Sequence, residues 1–228
     1  MTRASGGIRI GVLGGTLDPI HCGHLEAAAA ARDALDLRRV LIVPSHVPPH
    51  RSVQPAASPF HRFAMAALAV NGITRLVASD DELRTPGPSY TANTLDRLHM
   101  LGWSALQLFF ITGADAFAEI ATWHRYPEVL GLANFVVISR PGHALKELTW
   151  RLPDIAGRMK PASEAHSLRE PSIFLLPAAT PDVSSTNVRE RVRRGESIHA
   201  LVPPLVEAHI RQHGLYEAGT ANRLHGED

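Results

Sequence analysis

Cysteine is almost absent. Cys22 stands alone in 228 residues, so no disulfide can close within the chain and no thiolate cluster can hold a metal. Such a chain suits a reducing compartment, and a cytoplasmic location is expected. Excess charge of one sign is also missing: 23 Lys and Arg face 22 Asp and Glu, a net charge of +1, which offers no general attraction to nucleic acid or an anionic membrane. No apolar run approaches the roughly 18–20 residues that span a bilayer, and residues 1–7 lack the apolar core of an export signal. Nucleic acid and membranes are therefore not expected partners. A small ligand suits the balance better.

What is present is apolar bulk, 45% of the residues, in a length that fits one domain. Apolar, often β-branched runs at 8–13, 40–43, 76–78, 106–111, 135–138 and 173–176 alternate with helical segments. This order predicts an α/β fold: a doubly wound, Rossmann-like parallel sheet with helices on both faces. The expectation is a single domain over 1–228, ordered from about 8 to 216, with a frayed tail after 219. Residues 47–59 hold four prolines and read as a surface loop that could gate a site. A helix is expected over 145–152, and the polar stretch 160–170 reads as irregular.

The most informative segment is Gly14-Gly15-Thr16-Leu17-Asp18-Pro19-Ile20-His21-Cys22-Gly23-His24-Leu25, between the first apolar run and an alanine-rich helix. Glycines let backbone approach a ligand closely, and the unpaired N–H groups and dipole of a helix start favour an anion. His21 and His24, three apart, add donors on one face. Phosphate binding by Gly14, Gly15, Thr16, Gly23 and both histidines follows. A metal site on His21, Cys22 and His24 is the weaker reading, because adjacent residues point apart on a helix and no fourth ligand follows at a recognisable spacing. No metal ligands are assigned. Asp18, before Pro19, is expected to brace the turn rather than act as a base.

Later in the chain, Val183-Ser184-Ser185-Thr186-Asn187-Val188-Arg189 opens a basic helix. Ser185 or Thr186 is the expected cap, and hydroxyls, helix-start N–H groups and Arg189 together make a second receptor for phosphate oxygens.

The H-x-G-H spacing resembles that of nucleotidyltransferases related to class I aminoacyl-tRNA synthetases. Residues 14–25 resemble more closely the first motif of the nicotinate-nucleotide adenylyltransferases, with Leu17 where Phe is usual. Residues 183–189 resemble that family's I-S-S-T-x-[IV]-R motif, with Val183 for Ile. Pro48-Pro49-His50-Arg51, Pro88-Ser89-Tyr90-Thr91 with Thr94-Leu95, Thr112-Gly113-Ala114-Asp115 before Trp123, and Ser139-Arg140-Pro141-Gly142 extend the resemblance, in order, from about residue 8 to 216.

That resemblance implies transfer of AMP from ATP to nicotinate mononucleotide, with pyrophosphate released and Mg²⁺ bridging phosphates. The acceptor phosphate carries its own nucleophilic oxygen, so no protein nucleophile is needed. His21, His24 and Arg189 are the expected catalytic residues, with Gly14, Gly15, Thr16, Gly23, Ser184, Ser185 and Thr186 joining them on ATP. His50, Arg51, Tyr90, Thr91, Asp115 and Trp123 are expected on the acceptor, Trp123 by stacking on the pyridine and Asp115 at a ribose hydroxyl pair. Trp123 could equally be an aromatic anchor under its helix, and Tyr90 and Thr91 simply a helix start. Competing readings are a related enzyme using nicotinamide mononucleotide or phosphopantetheine, a cytidylyltransferase, and a nucleotide sensor without turnover. A homo-oligomer is compatible with the sequence, which leaves the oligomeric state open.

Overall fold

The computed structural model describes residues 7–49, 54–139, 145–178 and 181–218. Seven strands form one sheet: β1 (Ile10–Gly15), β2 (Arg39–Pro44), β3 (Leu76–Ala78), β4 (Leu108–Gly113), β5 (Asn134–Ile138), β6 (Met159–Pro161) and β7 (Ile173–Leu176). Their spatial order is β3-β2-β1-β4-β5-β7-β6, and every neighbouring pair is parallel.

Side chains alternate across a strand, so a sheet covered on both faces needs apolar residues at successive positions. The strands supply them. Leu108 and Phe110 of β4 face one apolar cluster and Phe109 and Ile111 the other; Phe135 and Val137 of β5 divide from Val136 and Ile138 in the same way. The first face is closed by α3 (Thr91–Met100), α4 (Ala114–Ala118), α5 (Leu145–Arg151) and α6 (Pro153–Ala156), through Leu95, Phe117, Leu148 and Ile155. On the second lie α1 (Cys22–Ala34), α2 (Pro59–Ala69), α7 (Ser185–Arg193) and α8 (Pro204–Gln212), through Ala28, Met65, Val188 and Val206. The doubly wound parallel sheet expected from the sequence is thus the observed architecture.

Two departures have physical causes. β1 and β4 lie two residues beyond the apolar runs at 8–13 and 106–111, because pairing is a backbone property: Gly14 and Gly15 align with Val43 and Pro44, and Thr112 with Val137. The polar stretch after 159 contains β6 and a 3₁₀ turn at Ala162–Ser167 rather than irregular chain alone. Met-Lys-Pro has no strand signature, yet Pro161 is tolerated because β6 is an edge strand. The tail from 219 lies outside the described residues.

The strand order reverses between β1 and β4, since β2 and β3 lie to one side and β5, β7 and β6 to the other. In open parallel sheets the crevice outside the carboxyl ends at such a reversal takes the ligand. Gly14, Gly15, Thr112 and Gly113 are the residues at that point.

Candidate active site

His21 is the N-cap of α1, extended at φ −141° and ψ 171°, so the chain turns into the helix at the first histidine. His24 lies three residues on, and its Nδ1 accepts the His21 backbone N–H at 3.2 Å. In the neutral ring this leaves the proton on Nε2. The two rings stack with centroids 3.7 Å apart. Gly23 makes that possible: a Cβ there would stand 3.1 Å from His21 Nδ1 and 3.2 Å from Val183 Cγ1. No acidic side chain occupies the first turn of α1, so its positive end is left for an anion. Burial, then Glu26, pushes the Cys22 thiol up and favours it over the thiolate a metal needs.

At the second motif the cap is Ser184, not Ser185 or Thr186. Its Oγ accepts Asn187 N–H at 3.1 Å, because α7 starts one residue earlier than the hydroxyl pattern suggested. Ser185, released from capping, donates to Pro19 O at 2.8 Å. Arg189 Nη1 donates to Asp18 O at 2.6 Å and its Nη2 to Thr186 Oγ1 at 3.2 Å, so side chains of α7 fasten the segment 183–189 to the turn at Asp18-Pro19.

Asp18 is a brace, and the segments it holds are remote in sequence. Its buried carboxylate accepts Ala56 N–H at 2.8 Å, Ala57 N–H at 3.1 Å and Tyr216 O–H at 2.7 Å. Burial and the facing carboxylate hold the Tyr216 phenol above its ordinary value, so it remains a donor. Arg62, fully buried in α2, donates to Thr16 O at 2.7 Å and to Ala57 O and His46 O, both at 3.2 Å.

Two cavities open over the switch point. One, of about 230 Å³, is lined by His21, Gly23, His24, Asp115 and Val183. The other, of about 310 Å³, is lined by Gly15, Thr16, Glu82, Tyr90, Thr91 and Trp123. Gly14, Thr112 and Ala116 line both, so the two share a wall. Gly14 keeps that wall thin: a Cβ there would come within 3.3 Å of the Phe110 ring. Together the cavities reach the several hundred Å³ of small-molecule sites.

The chain matches the model of the Cytidylyltransferase-like family over residues 12–191. A protein from Roseiflexus sp., named a probable nicotinate-nucleotide adenylyltransferase, is 43% identical over 207 residues, covering 91% of this chain and 97% of its own. One of the same name from Desulfatibacillum aliphaticivorans is 38% identical over 218 residues, covering 92% and 100%. The chain belongs to the nicotinate-nucleotide adenylyltransferase family. Among solved structures, the nicotinic acid mononucleotide adenylyltransferase of Plasmodium falciparum complexed with NaAD superposes with a TM-score of 0.70 at 16% identity, covering 92% of this chain and 98% of that one, which is a likeness of fold. No described helix is long and apolar enough to cross a membrane.

Against this family background the structure separates the expected residues into groups. His21, Gly23 and His24 share the first cavity, and Tyr90, Thr91 and Trp123 share the second. Asp115, expected with the acceptor residues, lines the histidine cavity, because α4 begins directly where β4 ends at the switch point. Gly15 and Thr16, expected on ATP, line the other cavity. Ser184, Ser185, Thr186 and Arg189 are in neither lining among the described residues; Val183 brings their segment to the edge of the first. His50 and Arg51, and 140–142 in the last of the quoted matches, lie outside the described residues.

Trp123 is an aromatic anchor that also borders a cavity. One side of the indole meets Phe110 edge-on at 5.9 Å and Phe135 at 6.3 Å, while the residue also lines the second cavity. Tyr90 does start α3, and its ring stacks on His124 at 4.3 Å.

Three participants escaped the sequence reading. Arg62 had a signal, an arginine inside the apolar helix segment Phe-His-Arg-Phe-Ala-Met. His124 and Glu82 had none. Glu82 is buried beside the second cavity and accepts Thr94 Oγ1 at 2.6 Å; burial raises its carboxyl above the ordinary range.

Proposed function

We propose that the chain joins ATP to nicotinate mononucleotide, giving nicotinate adenine dinucleotide and pyrophosphate, by direct in-line attack of the acceptor phosphate on the ATP α-phosphorus. Nicotinate-nucleotide adenylyl transfer, a step of NAD biosynthesis, is the activity of the family to which the chain belongs. The observation that carries the mechanism is the shared wall. A histidine-lined cavity at a helix start and an aromatic-lined cavity meet at Gly14 and Thr112, so two substrates can face each other across one point.

In this reading the triphosphate lies over the start of α1. His24 offers Nε2–H, His21 stacks behind it, and the helix start turns the positive end of its dipole to the phosphates. Negative charge grows on the leaving pyrophosphate, and preorganised donors aimed there lower the barrier without forming a bond to the protein. Arg189, tied between Asp18 and Thr186, holds its charge where the two motifs join, and Ser185 fixes that junction. Among the described residues only Thr112 and Asp115 bring side-chain oxygens to the first cavity, and Asp115 is its one carboxylate. This fits a magnesium ion held mainly by phosphate oxygens and water, with Asp115 the protein ligand at hand. Such an ion would neutralise phosphate charge.

The acceptor occupies the second cavity, its pyridine against Trp123 and its carboxylate at the start of α3, where Tyr90 and Thr91 offer hydroxyls. His50 and Arg51 reach its phosphate from their loop. A cytoplasmic setting, as monomer or homo-oligomer, belongs to the same proposal.

The test is pyrophosphate release with ATP and Mg²⁺, run in parallel with nicotinate mononucleotide, nicotinamide mononucleotide and phosphopantetheine. Preference for the first supports the reading. Preference for another keeps adenylyl transfer and removes the acceptor assignment; ATP binding without release from any acceptor identifies a sensor.

A further inference from the structure

On the second face of the sheet, three histidines from two helices meet at the seam of α2 and α8. His61 is the third residue of α2, His209 lies in α8, and His213 caps the end of α8 one turn further on. His61 Nδ1 and His209 Nε2 are 3.1 Å apart. The His213 ring centroid is 4.9 Å from that of His61 and 4.4 Å from that of His209. One ring nitrogen from each residue lies within 4.8 Å of the other two.

Packing alone gives a poor account of this grouping. Met65 and Ala69 of α2 and Val206 and Ile210 of α8 belong to the apolar cluster on this face and close the seam without imidazoles. Two protonated rings at this separation would repel each other. The acid of the same helix, Glu207, is engaged by Arg211 at 2.5 Å and offers the cluster no counter-charge. Imidazoles grouped in this way are what a divalent ion of borderline softness takes as ligands.

We propose that His61, His209 and His213 form a three-histidine site for a divalent transition ion of the zinc type, with water completing a tetrahedron. Zinc–nitrogen bonds of about 2.0–2.1 Å place ligand nitrogens about 3.3 Å apart, a spacing reached from the present one by side-chain rotation on fixed helices. An all-imidazole set selects against Mg²⁺, so this site is chemically separate from any ion carried by ATP. The bound ion would pin α8 to α2 beside Arg62, whose guanidinium holds the Thr16 carbonyl.

The experiment uses full-length, tag-free, metal-stripped protein titrated with Co²⁺, followed by visible absorption and then by displacement with Zn²⁺. One equivalent should give the intense bands of four-coordinate cobalt, Zn²⁺ should quench them, and the melting temperature should rise with either ion. His209→Gln and His213→Asn should each weaken binding at least tenfold while leaving adenylyl transfer with Mg²⁺ unchanged. Absence of bands in the parent protein with Co²⁺ in large excess over protein overturns the proposal. So does full binding in both variants, or binding lost only on His24→Ala, which would put the ion at the phosphate site.

Discussion

The two cavities are built in different ways. The histidine-lined cavity is formed mainly around one turn, from Leu13 at the end of β1 to Ala27 in α1, with Ile111 to Ala116, Ile138 and Val183 closing it, and that turn is fastened by Ser185 to Pro19 and by Arg189 to Asp18. The acceptor side draws on segments after four strands: Gly15 and Thr16 from β1, Ser45, Pro48 and Pro49 after β2, Glu82 to Thr91 after β3, and Trp123 and His124 beyond β4. An anion is recognised by backbone N–H groups and a helix dipole, which one run of residues can present. A ring bearing a carboxylate needs flat side chains and hydroxyls from several directions, which only the folded sheet brings together.

Replacing His24 by Ala tests the phosphate side and carries the largest expected effect. Turnover should fall by about 100- to 1000-fold, as for loss of one preorganised donor, with the acceptor KM little changed and the melting temperature nearly that of the parent. Steady-state kinetics with both substrates varied would show it. A comparable loss of folding stability would mean that the stacked pair is structural.

Next in size is Arg62→Ala, which should destabilise the fold by about 3 kcal/mol or more in urea denaturation, since three carbonyls lose their donor in a buried place. Because Thr16 lines the second cavity, acceptor use should suffer before ATP binding does.

Trp123→Ala isolates the acceptor side. The acceptor KM should rise about tenfold, roughly 1.4 kcal/mol, while the ATP KM stays within twofold. Equal loss for both substrates would show that the contacts with Phe110 and Phe135 matter more than the exposed face.

The smallest effect is expected at Glu82. Burial raises its carboxyl above the ordinary 4.5, against the opposing bonds from Thr94 and Ser89. The folded protein therefore holds this proton more tightly than the unfolded chain does. Its contribution is full below pH 4.5 and is lost as pH rises through the folded value. Glu82→Gln does not titrate, so its melting temperature relative to the parent should climb from pH 4.5 towards neutrality. A constant difference across that range would show that Glu82 stays ionised in the fold.

The same contrast explains what could be read before any coordinates. The parallel sheet was legible because its strands must be apolar on both faces, and the first phosphate motif because glycines, a helix start and paired histidines fall within twelve residues. The register of caps was less so: three consecutive hydroxyls, Ser184, Ser185 and Thr186, are equivalent in composition, and only the onset of α7 makes Ser184 the cap. The placement of Asp115 and the roles of Glu82 and Arg62 depend on packing between distant segments. So does the meeting of His61 with His209 and His213.

The central claim is a single transfer between two substrates held across the Gly14 and Thr112 wall, with no covalent adenylyl-protein. The direct measurement is the stereochemical course at phosphorus, using ATP made chiral at the α-phosphate with sulfur and ¹⁸O and analysing the dinucleotide formed. Inversion is the expected result of one in-line displacement. Retention would require two displacements, and with them a protein nucleophile that this site was not assigned.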